Sequence, residues 1–245
     1  MAIDLACTRE TGFLDRTLLC QEREYRYQLF RPRCERPAQG LPLILFLHGA
    51  GERGRDGLLQ TQVGLGAAIR TQSDRFPCVA LFPQISGGRY WNRLDMAEMV
   101  MQCLRKTCEE EAVDRRRVYL TGISMGGAGV WYLGARHPGT FAALIPVCGG
   151  VRYPAASSGD PGSDENRVMY LALAESIAST PVWAFHGALD TVVNPGFSRG
   201  MAAALTALGC PPHYTEYPDG GHDAWNLAYA EPALWDWVFH QYNVG

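Results

Sequence analysis

The sequence has little excess of charge and no feature that divides it. Its 22 basic and 25 acidic side chains give a formal net charge of −3 at pH 7, so no basic surplus would attract nucleic acid or an anionic membrane surface. Internal repeats and long polar linkers are lacking as well, while 47% of the 245 residues are hydrophobic. We therefore expect a single domain over residues 1–245, with a large core and no nucleic acid as a partner.

Long hydrophobic runs that would target or anchor the chain are lacking too. Asp4 stands near the start, where a secretory leader would carry basic residues and then a long apolar stretch. Most of the eight cysteines stand singly in apolar surroundings, as Cys78 and Cys148 do, and the pair Cys103 and Cys108 has neither redox nor zinc-ligand spacing. Because free thiols are typical of a reducing compartment, we expect a cytoplasmic protein that is not inserted in a membrane.

Spacings typical of metal or phosphate sites are also missing. No two of the six histidines are spaced as metal ligands on one predicted element. Gly126, Gly127 and Gly129 follow a serine and come without the lysine of a phosphate-binding loop. The sequence therefore predicts an activity that uses no metal and no cofactor.

The chain alternates between short apolar runs and helical patterns. A continuous apolar run such as residues 43–48 is typical of a strand buried on both faces of a parallel sheet. The alternation predicts an α/β fold with a mostly parallel central sheet of about eight strands and helices on both faces. Because the insertions are short, we expect no large cap domain. The predicted strands cover residues 14–19, 25–30, 43–48, 78–82, 118–121, 142–147, 181–186 and 212–217. The predicted helices include residues 95–111, 197–208 and 232–242 and a helix of uncertain start within residues 58–72, and residues 168–176 are ambiguous.

One stretch, residues 118–129, carries the strongest functional signal. It reads as a strand, a sharp Gly122-x-Ser124-x-Gly126 turn and a helix. A serine at the apex of such a turn is held in a strained backbone with its hydroxyl clear of the sheet. Glycine two residues before and after it avoids a collision across the turn. The alternative is a bystander serine in a glycine-rich turn, but the flanking strand and helix favour a nucleophile.

A serine hydroxyl needs partners to act as a nucleophile at neutral pH. It needs an imidazole to accept its proton and a carboxylate to orient that imidazole. In a parallel sheet the functional loops lie at the carboxyl ends of the strands, and two such loops carry Asp190 and His222. The order Ser124, Asp190, His222 is the one expected when a G-x-S-x-G turn belongs to a hydrolase sheet.

Other histidines and aspartates compete for these roles. His48 and His186 end buried strands just before a glycine, where a ring more often packs or bonds a backbone group. Asp219 and Asp223 are closer to His222 in sequence, but both are typical turn formers, and a neighbour in the same loop reaches the ring poorly. We therefore expect structural roles for these four residues.

Four segments together resemble the α/β-hydrolase superfamily. They are residues 48–54 (His-Gly-Ala-Gly-Glu-Arg-Gly), 122–127 (Gly-Ile-Ser-Met-Gly-Gly), 186–193 (His-Gly-Ala-Leu-Asp-Thr-Val-Val) and 221–225 (Gly-His-Asp-Ala-Trp). More narrowly, the chain is similar to phospholipase/carboxylesterase and dienelactone-hydrolase-like esterases. It also resembles the catalytic domains of feruloyl-esterase-like and prolyl-oligopeptidase-like proteins. The likeness extends from about Gly12 to the last helix, and it implies the α/β-hydrolase fold and a serine esterase.

The resemblance also implies roles for individual residues. Dienelactone hydrolases proper carry a cysteine nucleophile, so the serine of this chain favours ordinary ester hydrolysis. Backbone N–H groups would hold the oxyanion of the reaction, with Gly51 as the alternative to Ala50 because the register of that loop is open. The implied set is Ser124 as nucleophile, His222 as base, Asp190 as its partner, and the amides of Ala50 and Met125 as oxyanion donors.

Three residues are predicted to bind substrate. Trp91, Asn92 and Trp225 lie in or beside loops that should face the site, and aromatic walls there would suit an aryl or acyl group. Trp225 has an alternative role, in which it starts the last helix and packs on the sheet.

These observations favour a serine carboxylic ester hydrolase that acts through an acyl-enzyme. Its expected partner is a small-molecule ester with a small or aryl acid. One alternative is a serine peptidase of the prolyl-oligopeptidase type that acts on short peptides. Another is a non-catalytic binding protein of the same fold. The sequence leaves a homodimer open.

Overall fold

In the computed structural model, which describes residues 10–151 and 159–243, eight strands form one sheet. The strands are β1 (Gly12–Cys20), β2 (Arg23–Arg31), β3 (Leu41–Leu47), β4 (Val79–Pro83), β5 (Val113–Ile123), β6 (Ala143–Val147), β7 (Trp183–Gly187) and β8 (His213–Tyr217). Their spatial order is β1-β2-β4-β3-β5-β6-β7-β8. β2 pairs antiparallel with both β1 and β4, and the remaining neighbours are parallel. The predicted sheet of about eight mostly parallel strands is therefore confirmed.

The first five helices of the described residues lie in connections between strands, and the last two follow β8. They are α1 (Leu65–Thr71), α2 (Leu94–Glu110), α3 (Met125–Arg136), α4 (Asp164–Ile177), α5 (Gly196–Ala207), α6 (Trp225–Ala230) and α7 (Pro232–Phe239), with short 3₁₀ turns at Leu59–Thr61 and Ser73–Arg75. The helix of uncertain start that the sequence predicts within residues 58–72 begins at Leu65, after Gly64, whose φ of +60° lies outside the helical region. The ambiguous stretch 168–176 lies within α4.

The side chains of β3 explain why the central strands read as continuous apolar runs. Leu43 and Leu45 belong to one apolar cluster, Ile44 and Phe46 belong to another, and all four are fully buried. Helices α2 to α5 contribute to the first cluster, and α1, α6 and α7 contribute to the second. Because the two clusters lie on opposite faces of the sheet, every side chain of β3 enters a core.

The cysteines within the described residues are free thiols, as the sequence predicted. Four are buried, and Cys7 lies outside the described residues. The described thiols belong to Cys20, Cys34, Cys78, Cys103, Cys108, Cys148 and Cys210. Among the helices in residues 10–151 and 159–243, none combines the length and the apolar character needed to cross a membrane.

Shortening a core side chain of β3 should weaken the fold. Leu45 is fully buried, so Leu45→Ala should lower the free energy of unfolding by about 2–5 kcal/mol through lost burial and a cavity. The same change at Leu19, which is 73% exposed, is the matched control and should alter it by less than about 0.5 kcal/mol. Urea unfolding followed by circular dichroism measures both variants. Equal losses would contradict the assignment of the core.

Candidate active site

Ser124 lies in the turn between β5 and α3, with a φ of +53° and a ψ of −115°. This backbone conformation is strained for a residue that carries a side chain. Glycines let the turn close. A Cβ at Gly122 would lie 2.6 Å from the carbonyl oxygen of Gly126, and a Cβ at Gly126 would overlap the carbonyl oxygen of Leu47. The structure therefore has the predicted strand, turn and helix, with the Ser124 side chain partly exposed.

Hydrogen bonds connect Ser124, His222 and Asp190 in series. Nε2 of His222 lies 2.9 Å from Oγ of Ser124, and its Nδ1 lies 2.7 Å from Oδ2 of Asp190. Because an ionised carboxylate only accepts hydrogen bonds, Nδ1–H donates to Asp190 and Nε2 of the neutral ring accepts from the serine hydroxyl. Asp219 and Asp223 are exposed, and in the described part of the chain neither makes a hydrogen bond to this ring. The arrangement can move a proton from serine to histidine.

The carboxylate of Asp190 is fully buried just beyond β7. Its Oδ1 accepts hydrogen bonds from the backbone N–H groups of Val192 and Val193, at 2.8 and 2.9 Å. Its Oδ2 accepts from His222 and, at 3.1 Å, from Nε2 of His186. Burial by itself would raise the pKa of Asp190, but the hydrogen bonds from the two rings and the two backbone amides outweigh burial and hold that pKa well below its usual value. The carboxylate therefore stays ionised at neutral pH.

Close backbone contacts hold the loop of His222 beside the loop of Asp190. Gly187 ends β7, and a Cβ there would overlap the carbonyl oxygen of Gly221. Trp225, the first residue of α6, packs edge-on against the His222 ring with the centroids 5.4 Å apart. These contacts orient the imidazole while leaving 20% of the His222 side chain exposed.

The loop after β3 carries Ala50, one of the two predicted oxyanion donors. In the described residues, the backbone N–H groups of Ala50 and Met125 donate no hydrogen bond, so both are available to a ligand. The loop is held by His48, whose Nε2 accepts from the backbone N–H of Ile85 at 3.1 Å. Burial lowers the pKa of His48 to about 4 and so keeps the ring neutral. The indole N–H of Trp91 donates to the His48 carbonyl at 2.9 Å.

The structure corrects the predicted substrate-binding role of Trp91. The residue is only 1% exposed, and its ring packs edge-on against His48 with the centroids 4.9 Å apart. A large aromatic side chain at this position gains more from burial than from lining an open pocket, so Trp91 supports the loop. Asn92 is exposed. Trp225 is half-buried and starts α6, where it lines a cleft of about 200 Å³ beside α1.

His186 makes contacts that sequence reasoning did not anticipate. The ring was expected to pack or to bond a backbone group, and its Nε2 does lie 3.0 Å from the carbonyl oxygen of Val193. It also contacts the carboxylate of Asp190, and its Nδ1 lies 2.7 Å from Oγ of Ser198. The available signal was the spacing, because His186 lies near the end of β7 and Asp190 follows four residues later in the turn after that strand.

Cys148, His186 and Asp190 form a cluster in which a ligand-type atom of each residue lies within 4.8 Å of the others. All three residues are buried. The nitrogens of His186 and the oxygens of Asp190 are occupied by the hydrogen bonds given above, and burial raises the pKa of the Cys148 thiol to about 12. A metal ion there would have to displace these bonds and a proton, so the residues fit a hydrogen-bonded cluster better than a metal site.

Comparison with known families and proteins agrees with this geometry. The family model of the prolyl oligopeptidase family matches residues 91–244. A protein of Arthroderma benhamiae described as an uncharacterized secreted protein is 27% identical in an alignment of 203 residues that covers 74% of this chain. The chain spans about a fifth of that protein, 21% of its length.

Solved structures with the same fold include esterases and a peptidase. A thermostable esterase is 33% identical, with a TM-score of 0.80 over 94% of this chain and 63% of its own. A ferulic acid esterase is 18% identical, with a TM-score of 0.68 over 93% of this chain and 96% of its own. The acylaminoacyl peptidase of Pyrococcus horikoshii is 16% identical, with a TM-score of 0.71 over 95% of this chain and 42% of its own. The last two similarities show the fold alone.

A side chain at Gly126 should disrupt the serine turn. The Cβ of Gly126→Ala would overlap the Leu47 carbonyl oxygen, and this backbone atom cannot move without shifting β3. We expect a loss of at least about 1–3 kcal/mol in the free energy of unfolding. Gly87→Ala is the matched control, since a Cβ at Gly87 has nothing within 4 Å. Thermal and urea unfolding compare the two, and a Gly126→Ala protein as stable as the control would refute the close contact.

The lowered pKa of Asp190 makes its contribution to stability dependent on pH. A carboxyl group whose pKa is lower in the folded state stabilises the protein above the unfolded-state pKa of about 4, and the effect is lost as pH falls toward the folded-state pKa. Wild type should therefore exceed Asp190→Asn in unfolding free energy by a constant amount above about pH 5, and the difference should shrink below about pH 4. Urea unfolding from pH 3 to 7 tests this, and a difference that grew on acidification would contradict it.

Proposed function

The chain belongs to the prolyl oligopeptidase family of α/β serine hydrolases, and on that premise we propose that it hydrolyses small or aryl carboxylic esters through an acyl-enzyme. Ser124 is the proposed nucleophile, His222 the general base, and Asp190 the group that orients and stabilises the base. The observation that carries this proposal is the series of hydrogen bonds from Oδ2 of Asp190, through both nitrogens of His222, to Oγ of Ser124.

Acylation is the first half of the proposed reaction. Oγ of Ser124 attacks the ester carbonyl carbon while Nε2 of His222 takes the hydroxyl proton. The negative charge on the tetrahedral intermediate accepts hydrogen bonds from the N–H groups of Ala50 and Met125, and loss of one such donor typically costs about 2.7–4 kcal/mol. The imidazolium then gives its proton to the leaving alcohol as the carbon–oxygen bond breaks, which leaves the acyl group on Ser124.

Deacylation repeats these steps with water as the nucleophile. Nε2 of His222 takes a proton from a water molecule that attacks the acyl carbon, and the same two amides hold the second oxyanion. His222 then returns the proton to Oγ of Ser124, and the acid leaves. Throughout the cycle, ionised Asp190 stabilises each charged state of the ring without accepting its proton.

An open, partly apolar site supports small or aryl esters as substrates. Ser124 and His222 are both partly exposed, and Trp225 offers an aromatic face beside the histidine. The thermostable esterase that is 33% identical to this chain supports ester hydrolysis over amide hydrolysis. A peptidase of short peptides is the second candidate, favoured by the family itself and by the fold shared with an acylaminoacyl peptidase.

Removing the serine hydroxyl should abolish turnover. In Ser124→Ala the acyl-enzyme cannot form, and kcat should fall by roughly 10⁶-fold or to background. Hydrolysis of p-nitrophenyl acetate, butyrate and octanoate and of methyl ferulate provides the measurement, and the chain-length profile sizes the acyl pocket. Ser73→Ala, an exposed serine in a 3₁₀ turn, is the control and should keep wild-type rates. Near-wild-type turnover by Ser124→Ala would show that the nucleophile is another group.

Matched leaving groups should distinguish an esterase from a peptidase. For the same acyl group, we expect a higher kcat/KM on the p-nitrophenyl ester than on the p-nitroanilide, together with an early burst of p-nitrophenol wherever deacylation is slower. A fluorophosphonate should label wild type and not Ser124→Ala. Preference for the anilide would establish the peptidase, and an unlabelled, inactive wild type would indicate a non-catalytic protein of the same fold.

A further inference from the structure

Asp190 stands between two Ser–His pairs, only one of which is accessible to substrate. The accessible pair is His222 with Ser124. On the other side of the carboxylate, Nε2 of His186 lies 3.1 Å from the same Oδ2, and Nδ1 of His186 lies 2.7 Å from Oγ of Ser198. The His186 side chain has no exposed surface, and Ser198 is 2% exposed. The second pair therefore has no path to substrate and is not a second nucleophile.

The neighbours of His186 determine where its protons lie. Nε2 faces the carboxylate of Asp190 and, at 3.0 Å, the carbonyl oxygen of Val193. Both of these groups accept hydrogen bonds, so Nε2 carries the hydrogen and shares it between them. In the neutral ring, Nδ1 is then an acceptor, and the hydroxyl of Ser198 donates to it. The direction of donation runs from Ser198 on α5, through the ring on β7, to the carboxylate.

This arrangement makes two imidazole N–H groups compete for one carboxylate oxygen. The second donor fixes the position of Oδ2, and it also withdraws part of the negative charge that would otherwise stabilise a positively charged His222. Three other titratable groups among the described residues act on this region. The Cys148 thiol lies within the same cluster, and Glu216 on β8 interacts electrostatically with His186. Asp223, the residue after His222, interacts electrostatically with Cys148.

We propose that His186 and Ser198 are positioning residues that hold Asp190 against His222 and set the pH at which His222 is available as the base. The inference rests on the proposed function, since it concerns the base of that reaction. Without the N–H of His186, the charge of Asp190 acts more fully on His222, so the base stays protonated to higher pH. The carboxylate is also less firmly oriented, so the chemical step slows while substrate binding is unaffected.

The test compares three variants by the pH dependence of p-nitrophenyl butyrate hydrolysis. His186→Met removes the ring N–H and keeps a side chain of similar size. His186→Gln retains an N–H donor near the position of Nε2 and serves as the conservative control. Ser198→Ala removes only the hydroxyl that orients the ring. Active-site titration with a fluorophosphonate normalises kcat to the fraction of folded protein in each preparation.

For His186→Met we expect kcat to fall by roughly tenfold to a hundredfold with little change in KM, by analogy with the loss of a hydrogen-bond partner that orients a metal-binding histidine. The acid limb of the kcat/KM profile should move to higher pH by roughly 0.5 to 1 unit, as expected from the loss of one hydrogen bond. Ser198→Ala should move the acid limb in the same direction but by a smaller amount. His186→Gln should retain most of the wild-type kcat and an acid limb close to that of wild type.

If His186→Met reacts with the fluorophosphonate but the acid limb of its kcat/KM profile lies where it does in wild type, the proposal is overturned. If that variant does not fold, Ser198→Ala decides, and a wild-type profile in Ser198→Ala would overturn the proposal as well. A fall in kcat with an unmoved limb in every variant would show a purely structural role and would also overturn it. Failure of the proposed function looks different, because wild type would then neither hydrolyse the ester nor react with the fluorophosphonate.

Discussion

A buried negative charge at Asp190 is the constraint on which the site depends. A carboxylate removed from water destabilises the fold unless hydrogen bonds replace its hydration. Here four donors replace it: the backbone N–H groups of Val192 and Val193 and the rings of His186 and His222. Three parts of the fold must therefore meet at this point, namely the turn after β7, the ring at the end of β7 and the loop after β8. The hydrogen bonding that stabilises the charge also orients the base.

Close approaches of backbone to backbone bring the remaining parts of the site together. Gly126 lets the first turn of α3 contact the carbonyl of Leu47, which places Ser124 beside the loop that carries Ala50. Gly187 likewise lets the end of β7 approach the backbone of the loop that carries His222. At both points a methyl group would separate the segments, so the positions of the reacting atoms depend on the absence of a side chain.

The sequence revealed those parts of the structure that depend on local chemistry. Apolar runs such as residues 43–48 predicted buried strands, because a strand covered on both faces contacts a core through every side chain. The G-x-S-x-G turn was readable because its glycines are required within one turn of chain. Where longer-range packing decided, the prediction differed from the structure: Trp91, predicted to bind substrate, is buried under the loop.

By itself, then, the sequence determined the α/β order of elements, the strained serine turn and which histidine and aspartate stand in late loops. Only the tertiary structure decided which donors share the carboxylate of Asp190, because His186 reaches it from the strand end. Ser198, on a helix packed behind, bonds the far side of the His186 ring. Contacts of this kind depend on distances of 2.7 to 3.1 Å between elements, and no periodicity along the chain encodes them. Spacing in the sequence brings residues to the same edge of the sheet, and packing then settles which atoms meet.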